Sequence, residues 1–478
     1  MYQLFLLDYS YIGGVGLMTY DTKEKLIYKS KQAEGKTFGE IDRTGRIENN
    51  RAKGGLGQIV EESFFEYEIN SESEPDFENL GIELKVTPFK KNKSGSISAK
   101  ERLVLNIINY HKEVHTDFEN SSFWRKNEKL LLLFYEWIPH IKRADYKIIK
   151  AYLHTYTEED LEIIKQDWEK IVSKIRSGLA HELSEADTNY LGAASKGANK
   201  SSLRTQPYSD MSAMQRAYSL KQSYMTTLVR KLINKEDLVR FATPKELKDK
   251  SLLELLEQKF SPFKGMSLED ISLKKDLDIN YQSKSFLQEF VSGLLGIRGT
   301  KLNQIEEFEK ANIINKTIRL EPNGVPKEHM SFRNVDFFEW SQEDWEDSWV
   351  KNYFEESKFL FIIFQYNQSK NQNPNRKLYF KGIQLWNMPK KEIENQLKNF
   401  WKEMKSLINH GIELTPVYQK NRTIIKNNLP NPGYNKLCHI RPKARNADDK
   451  VPLPDGQYIT KQAFWLDREY IVKVIGGQ

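Results

Sequence analysis

Apolar residues recur along this chain with two spacings, and the alternation between them sets out its elements. In Ile82-Glu83-Leu84-Lys85-Val86 apolar and charged residues alternate, the period of a strand, which predicts a strand over 82–88. Further strands are predicted near 102–109 and, from the apolar run beginning Leu130-Leu131-Leu132-Leu133-Phe134-Tyr135, over 130–138. Helical spacing marks Gln58-Ile59-Val60-Glu61-Glu62-Ser63-Phe64-Phe65 after Gly57 as an amphipathic helix, a long helix near 158–177, and a final helix of the first half from about 212. Strands interleaved with helices place the fold in the α/β or α+β class with a mixed central sheet.

The pattern then repeats, with an offset of about 230 residues. Asp76-Phe77-Glu78-Asn79-Leu80-Gly81-Ile82-Glu83-Leu84-Lys85 lines up with Glu307-Phe308-Glu309-Lys310-Ala311-Asn312-Ile313-Ile314-Asn315-Lys316, and the run at Leu130 with Phe359-Leu360-Phe361-Ile362-Ile363-Phe364. Trp168, Ser173, Ile175 and Gly178 match Trp401, Ser406, Ile408 and Gly411, while Ala217-Tyr218-Ser219-Leu220 with Tyr224 matches Ala463-Phe464-Trp465-Leu466 with Tyr470. Four blocks in the same order imply two homologous domains in tandem, expected at 18–240 and 281–478. The charged stretch between them, 241–280, is broken by Ser261-Pro262 and is expected to link them as one or two helices.

Composition narrows the class. A chain of 478 residues favours two or three domains, and 39% hydrophobic content with 9 Trp, 23 Tyr and 25 Phe can supply their cores. A net charge of +7 is compatible with a polyanionic partner. The one cysteine, Cys438, excludes an internal disulfide and a cysteine-rich zinc site, and fits a reducing cytoplasm. No apolar run is long enough to span a bilayer, so no membrane partner is expected. The apolar opening Tyr2 to Leu7 lacks a basic lead and is interrupted by Asp8, so secretion is not expected, and residues before Met18 read as an upstream extension.

The candidate chemistry lies at the first predicted strand. Glu83 and Lys85 share one face of it, and Asp76 arrives from the preceding turn. Two carboxylates at one point repel unless a divalent cation neutralises them, and hard oxygen ligands favour Mg²⁺. Asp76 and Glu83, with the Leu84 main-chain carbonyl, would hold the ion, and Lys85 would orient or deprotonate a water; this is the equipment for phosphodiester hydrolysis. Glu61 on the preceding helix is a further carboxylate, and Lys126 ahead of the 130–138 strand a second cation. Taken alone, such a triplet in a chain that is 29% charged most often means a solvated strand. His111 and His115 are expected to be a polar surface pair, because no third ligand accompanies them.

The surrounding text carries more. Lys53-Gly54-Gly55-Leu56-Gly57-Gln58-Ile59-Val60-Glu61, Pro75-Asp76-Phe77 and Leu80 to Lys85 resemble the catalytic segment of MutH, the GATC-specific nicking endonuclease of mismatch repair. With Lys100 to Tyr110, Lys196-Gly197-Ala198-Asn199, Ser201-Ser202-Leu203-Arg204 and Gln206-Pro207-Tyr208-Ser209-Asp210, the chain resembles still more closely, over most of its length, the Sau-type restriction endonucleases that cut GATC. The resemblance implies tandem restriction-endonuclease-like (PD-(D/E)XK) domains, with Asp76, Glu83 and Lys85 as catalytic triplet, Glu61 as additional carboxylate, and Lys126 as auxiliary lysine, although Lys129 lies in the same short loop.

MutH reads DNA with an Arg-Pro-Lys loop, and arginine or lysine suits the acceptor edge of guanine. Here the first half carries Ala194-Ser195-Lys196 at that place and the second half Arg441-Pro442-Lys443. Lys196, Asn199, Arg204 and Tyr208 are therefore the base-contact candidates of the first half, and Arg441 and Lys443 those of the second. Lys90, Lys91 and Lys93 form a basic loop expected on the phosphate backbone. Ile314 stands where Glu83 stands, and a hydrocarbon cannot ligate Mg²⁺, so the second half is expected to bind DNA without cutting and to act as an allosteric site. The expectation is a type II restriction endonuclease that cleaves 5′-GATC-3′ in double-stranded DNA with Mg²⁺ and leaves 5′-phosphate ends, a monomer that dimerises transiently on DNA. The alternatives are a strand-nicking repair endonuclease and a DNA-binding regulator that does not cut.

Overall fold

The computed structural model describes residues 20–49, 55–67, 73–92, 94–196, 202–281, 283, 285–297, 299, 302–419 and 422–476. The chain divides into two compact units, Met1–Asp237 and Leu238–Gln478.

In unit 1 the strands are β1 (Ile82–Lys91), β2 (Ile97–Ala99), β3 (Leu103–Ile107), β4 (Lys129–Glu136), β5 (Ile148–Thr155), β6 (Leu191–Ser195), β7 (Leu203–Gln206), β8 (Ser209–Met214) and β9 (Arg216–Leu220). A mixed sheet has the order β2-β1-β4-β5, in which β1 and β4 run parallel and the other pairs antiparallel. The apolar run of β4 explains its central place: Leu130 to Leu133 are fully buried, and alternate side chains fill both faces of the sheet. Burial of each such leucine stabilises the unit by about 2 kcal/mol. Leu131 and Leu133 join a core with Leu26, Phe38, Ile59, Phe65 and Phe77. A second sheet has the order β3-β9-β6, and β7 and β8 form a hairpin. The long helix runs Glu158–Arg176, capped by Thr157, with Ile164, Trp168, Ile171 and Ile175 buried at helical spacing.

Unit 2 repeats this plan with β10 (Ile313–Leu320), β11 (Met330–Asn334), β12 (Lys358–Tyr366), β13 (Leu378–Trp386), β14 (Leu414–Gln419), β15 (Arg422–Asn427), β16 (Cys438–Pro442), β17 (Lys450–Pro452), β18 (Tyr458–Thr460) and β19 (Gln462–Leu466). The sheets β10-β12-β13 and β11-β19-β16 correspond to β1-β4-β5 and β3-β9-β6. The first pair of strands is again parallel, with Ile314 opposite Phe359 as Glu83 is opposite Leu130. The repeat read in the sequence is thus a repeat of topology and register.

Two expectations are corrected. The segment 241–280 is not a linker: it holds helices Pro244–Asp249, Leu252–Phe260 and Leu268–Lys275, and it belongs to unit 2. Gly265 N–H donates to the Phe380 carbonyl of β13 at 2.8 Å, Phe380 N–H returns a bond to Met266 at 3.0 Å, and Phe260 meets the Phe380 ring. Its leucines and phenylalanines are core, not the apolar face of a spacer. The final helix of unit 1 starts at Gln222, not near 212, because Ala217-Tyr218-Ser219-Leu220 forms the central strand β9, buried at every position. A strand covered on both faces loses the alternation that would have marked it.

Candidate active site

The backbone ahead of β1 turns back on itself. Phe77 and Ile82 exchange main-chain hydrogen bonds of 2.9 and 3.3 Å around the short turn Glu78–Leu80, and Gly81, at φ +62°, supplies the left-handed residue that closes it. This fold-back lays Asp76 beside β1. Leu84 N–H donates to Asp76 Oδ2 at 2.8 Å, and Asp76 N–H donates to Glu83 Oε2 at 3.1 Å. A strand residue's carbonyl points to the same side as its N–H, so the Leu84 carbonyl also faces Asp76 while its side chain is buried in the core.

Three further groups complete the cluster. Lys85 Nζ donates to Glu83 Oε1 at 2.5 Å. Lys126, on the helix Ser122–Asn127 capped by Ser121, brings Nζ to 3.8 Å from Glu83 Oε2. Lys129 instead pairs with Glu128 at 3.7 Å, so geometry separates the two lysines that the sequence left close. Glu61 lies in the π-helical turn Val60–Phe65, which continues helix Gly55–Ile59. Arg46 steadies that turn through a forked bond to Glu62 at 2.7 and 2.9 Å.

Charge is concentrated here under poor solvation. Glu83 is only 2% exposed. Burial and the Glu83 carboxylate beside it push Asp76 up to about 7, and burial likewise raises Glu61, partly opposed by Lys85. Tyr67, which no pattern in the sequence marks, has a buried hydroxyl whose ionisation is suppressed first by burial and then by Asp76 and Glu61. The tertiary fold alone identifies Tyr67 as part of this acidic cluster.

The DNA-side candidates fall into three settings. Lys90 is half-buried and Lys91 is exposed at the end of β1, where Lys91 meets Glu136 at 2.9 Å. Lys196 and Arg204 are exposed beside the β7–β8 hairpin, with Arg204 Nη2 donating to Gln215 Oε1 at 3.1 Å, and Tyr208 stands out at the hairpin turn, 69% exposed. Asn199 and Lys93 lie outside the described residues. The equal pairing of Leu191 and Cys438 makes Ala194-Ser195-Lys196 the register equivalent of Arg441-Pro442-Lys443. Arg441 is exposed and lies over the Trp465 ring at 5.2 Å, while the Lys443 amine donates to the Phe332 carbonyl at 2.8 Å. His111 Nε2 lies 3.1 Å from Thr205 Oγ1 on the short helix Tyr110–Glu113.

The equivalent place in unit 2 is chemically different. Ile314 packs against the core of that unit. Glu307 is fully buried, bound by the N–H groups of Phe241 and Ala242 at 3.4 and 3.3 Å, and burial pushes it up to about 7. Lys316 Nζ donates to the Ser331 carbonyl at 2.9 Å rather than to a carboxylate, and burial, with Lys443 nearby, brings it down to about 8.

Comparison with known proteins reaches both units. The family model of the DNA mismatch repair enzyme MutH matches twice, over residues 65–167 and 300–399. The type II restriction enzyme Sau3AI of Staphylococcus aureus is 37% identical over 495 residues, covering 96% of this chain and 99% of that protein. The DNA mismatch repair protein MutH of Shewanella woodyi is 31% identical over 191 residues, 38% of this chain and 78% of that one, and that of Pasteurella multocida 25% over 190 residues, 39% and 83%.

Proposed function

Because this chain belongs to the family of the type II restriction enzyme Sau3AI and is a site-specific deoxyribonuclease with MutH-like domains, we propose that it cleaves double-stranded DNA at 5′-GATC-3′ with Mg²⁺, using the unit 1 cluster. The observation that carries the site assignment is the convergence of Asp76, Glu83, Lys85 and Lys126 on one point of β1.

The residues fit a hard divalent cation. Two carboxylates held together under burial repel each other, and they offer only oxygen donors, which suits Mg²⁺ better than a soft metal. Asp76, Glu83 and the Leu84 carbonyl would hold the ion, with Glu61 completing its shell. When bound, Mg²⁺ supplies a Lewis acid that neutralises phosphoryl charge and acidifies a water. Lys85, fixed by Glu83, orients the attacking water, whose oxygen bonds to phosphorus as the P–O3′ bond breaks. The products are a 5′-phosphate and a 3′-hydroxyl. Lys126 adds positive charge where the phosphoryl oxygens become more negative. Lys196, Arg204 and Tyr208, with Asn199 from outside the described residues, would contact bases, and Lys90 and Lys91 the backbone.

Unit 2 lacks a carboxylate at Ile314, and its Glu307 is held by main-chain N–H groups, so it would bind DNA through Arg441 and Lys443 without cutting, as an allosteric second site. One cutting unit per chain makes double-strand cleavage the work of two chains that meet transiently on DNA, or of two sequential events. A strand-nicking reading has support from the MutH match, but that match covers 38% of the chain whereas the restriction-enzyme match covers 96%. Incubation of purified protein with unmethylated plasmid and Mg²⁺, followed by end mapping, decides: linear fragments ending at GATC are expected, and a nicked circle or intact plasmid would refute the restriction reading.

A further inference from the structure

Strand register aligns the two units residue by residue around their three-stranded sheets. Leu103 and Leu191 both pair with Leu220 in unit 1, and Met330 and Cys438 both pair with Leu466 in unit 2. The residue before β3, the second of β6 and the one after β9 are therefore Arg102, Gly192 and Lys221; their equivalents are His329, His439 and Asp467.

In unit 1 this place is filled by a carboxylate. Arg102 Nη1 lies 2.5 Å from Glu185 Oε1, and Lys221 Nζ donates to the main-chain carbonyls of Glu185 and Thr188 at 2.6 Å. A Cβ on Gly192 would come within 2.5 Å of Glu185 Oε2, so the glycine makes room for that side chain. Unit 2 changes all three positions, to imidazole, imidazole and carboxylate.

Those three groups bring one ligand atom each to within 4.8 Å of one another. His439 is fully buried and the Asp467 side chain only 5% exposed. Among the described residues His439 Nε2 makes no hydrogen bond, and His439 Nδ1 and Asp467 Oδ1 have only each other and His329 Nδ1 as neighbours, an arrangement that costs free energy unless something binds there. His439 Nδ1 faces Asp467 Oδ1, and His329 Nδ1 lies 3.3 Å from the same oxygen. Two donors at Zn²⁺ bond lengths in a tetrahedron are about 3.3 Å apart, so the His329–Asp467 spacing fits as it stands and His439 Nδ1 would draw back from Asp467 Oδ1 on binding. Arg468 N–H donates to His329 Nδ1 at 3.1 Å, so that nitrogen carries a lone pair rather than a proton, and a metal would take the lone pair in place of the Arg468 N–H.

We propose that His329, His439 and Asp467 form a binding site for a divalent transition metal of the zinc class. Imidazole and carboxylate donors select such an ion over Mg²⁺, and the partly exposed His329 side leaves the fourth position to water. The ion would tie the start of β11 and the strand β16 to the first turn of helix Arg468–Gly476. It would also fix the strand that ends in Arg441, since His439 stacks on Trp465, over which the Arg441 guanidinium lies.

The test uses the full chain carrying Asp76→Ala, so that the unit 1 carboxylates compete less, stripped with a chelator and titrated with Zn²⁺ against a chromophoric chelator. One Zn²⁺ per chain is expected, with visible absorption bands when Co²⁺ replaces it and a rise in Tm on loading. His329→Ala, on the exposed side of the site, should weaken Zn²⁺ binding at least tenfold and abolish the Co²⁺ bands while leaving the circular dichroism spectrum unchanged. Absence of stoichiometric Zn²⁺, or binding that survives both His329→Ala and Asp467→Asn, would overturn the proposal and leave the group as a histidine–aspartate contact.

Discussion

Glu83 is the residue on which the unit 1 cluster turns, since Asp76 N–H, Lys85 and Lys126 all address its carboxylate. Replacing it with Gln, or Lys85 with Ala, is expected to lower plasmid cleavage by at least two orders of magnitude while DNA affinity in a gel-shift assay with Ca²⁺ changes less than about threefold. Cleavage at the wild-type rate in either variant would refute the site. Glu307 offers a different measurement. Its carboxyl is raised to about 7 in the folded chain, above its ordinary value of 4.5, so the folded state binds more protons between those values than the unfolded state does. Unit 2 is therefore expected to lose stability as pH rises from about 4.5 to about 7, by about 3 kcal/mol. In Glu307→Gln that slope should flatten in urea unfolding followed at pH 5 and pH 8.

At the scale of elements, the hairpin β7–β8 makes one very close backbone approach beside its hydrogen bonds from Ala180 N–H and His111. Gly178, at φ +71° after the long helix, lies so near the hairpin turn that a Cβ would come within 2.5 Å of the Tyr208 carbonyl. Gly178→Ala combines left-handed strain with a backbone clash and is expected to cost about 2–3 kcal/mol. Because the hairpin carries Arg204 and Tyr208, the same variant should weaken DNA binding, which a salt titration of the gel shift would show. Elements whose apolar residues alternate with polar ones were legible in advance: the alternation of Ile82 to Val86 and the helical spacing of Ile164, Trp168, Ile171 and Ile175 each have one reading. The strand β9 was not, because Ala217 to Leu220 is buried at every position and a short apolar run has no period to read. The helices of 241–280 read as a spacer for another reason, the charge of that stretch and its break at Ser261-Pro262, although their apolar residues meet β13.

For the whole molecule, one duplicated plan carries two chemistries. Sheet order and register are kept between the units, while Glu83 becomes Ile314 and Ala194-Ser195-Lys196 becomes Arg441-Pro442-Lys443. If unit 2 is a second DNA site, Arg441→Ala combined with Lys443→Ala should reduce affinity for GATC duplexes about tenfold or more and lower the salt dependence of binding. It should leave the unit 1 cluster able to cut. Unchanged binding and cleavage would make unit 2 a structural repeat only.

The sequence by itself determined the tandem repeat, the Asp76, Glu83 and Lys85 triplet and the missing carboxylate at Ile314, since each is a matter of residue type at a fixed spacing along one strand. Only the tertiary structure decided that Lys126 rather than Lys129 meets Glu83, that Tyr67 belongs to the acidic cluster, and that 241–280 is core. It alone also brought His329, His439 and Asp467 together from three separate segments. The physical reason is that backbone periodicity fixes the relation between residues a few positions apart, whereas the meeting of residues distant in sequence is set by how buried faces pack and by strand register, neither of which has a local signature.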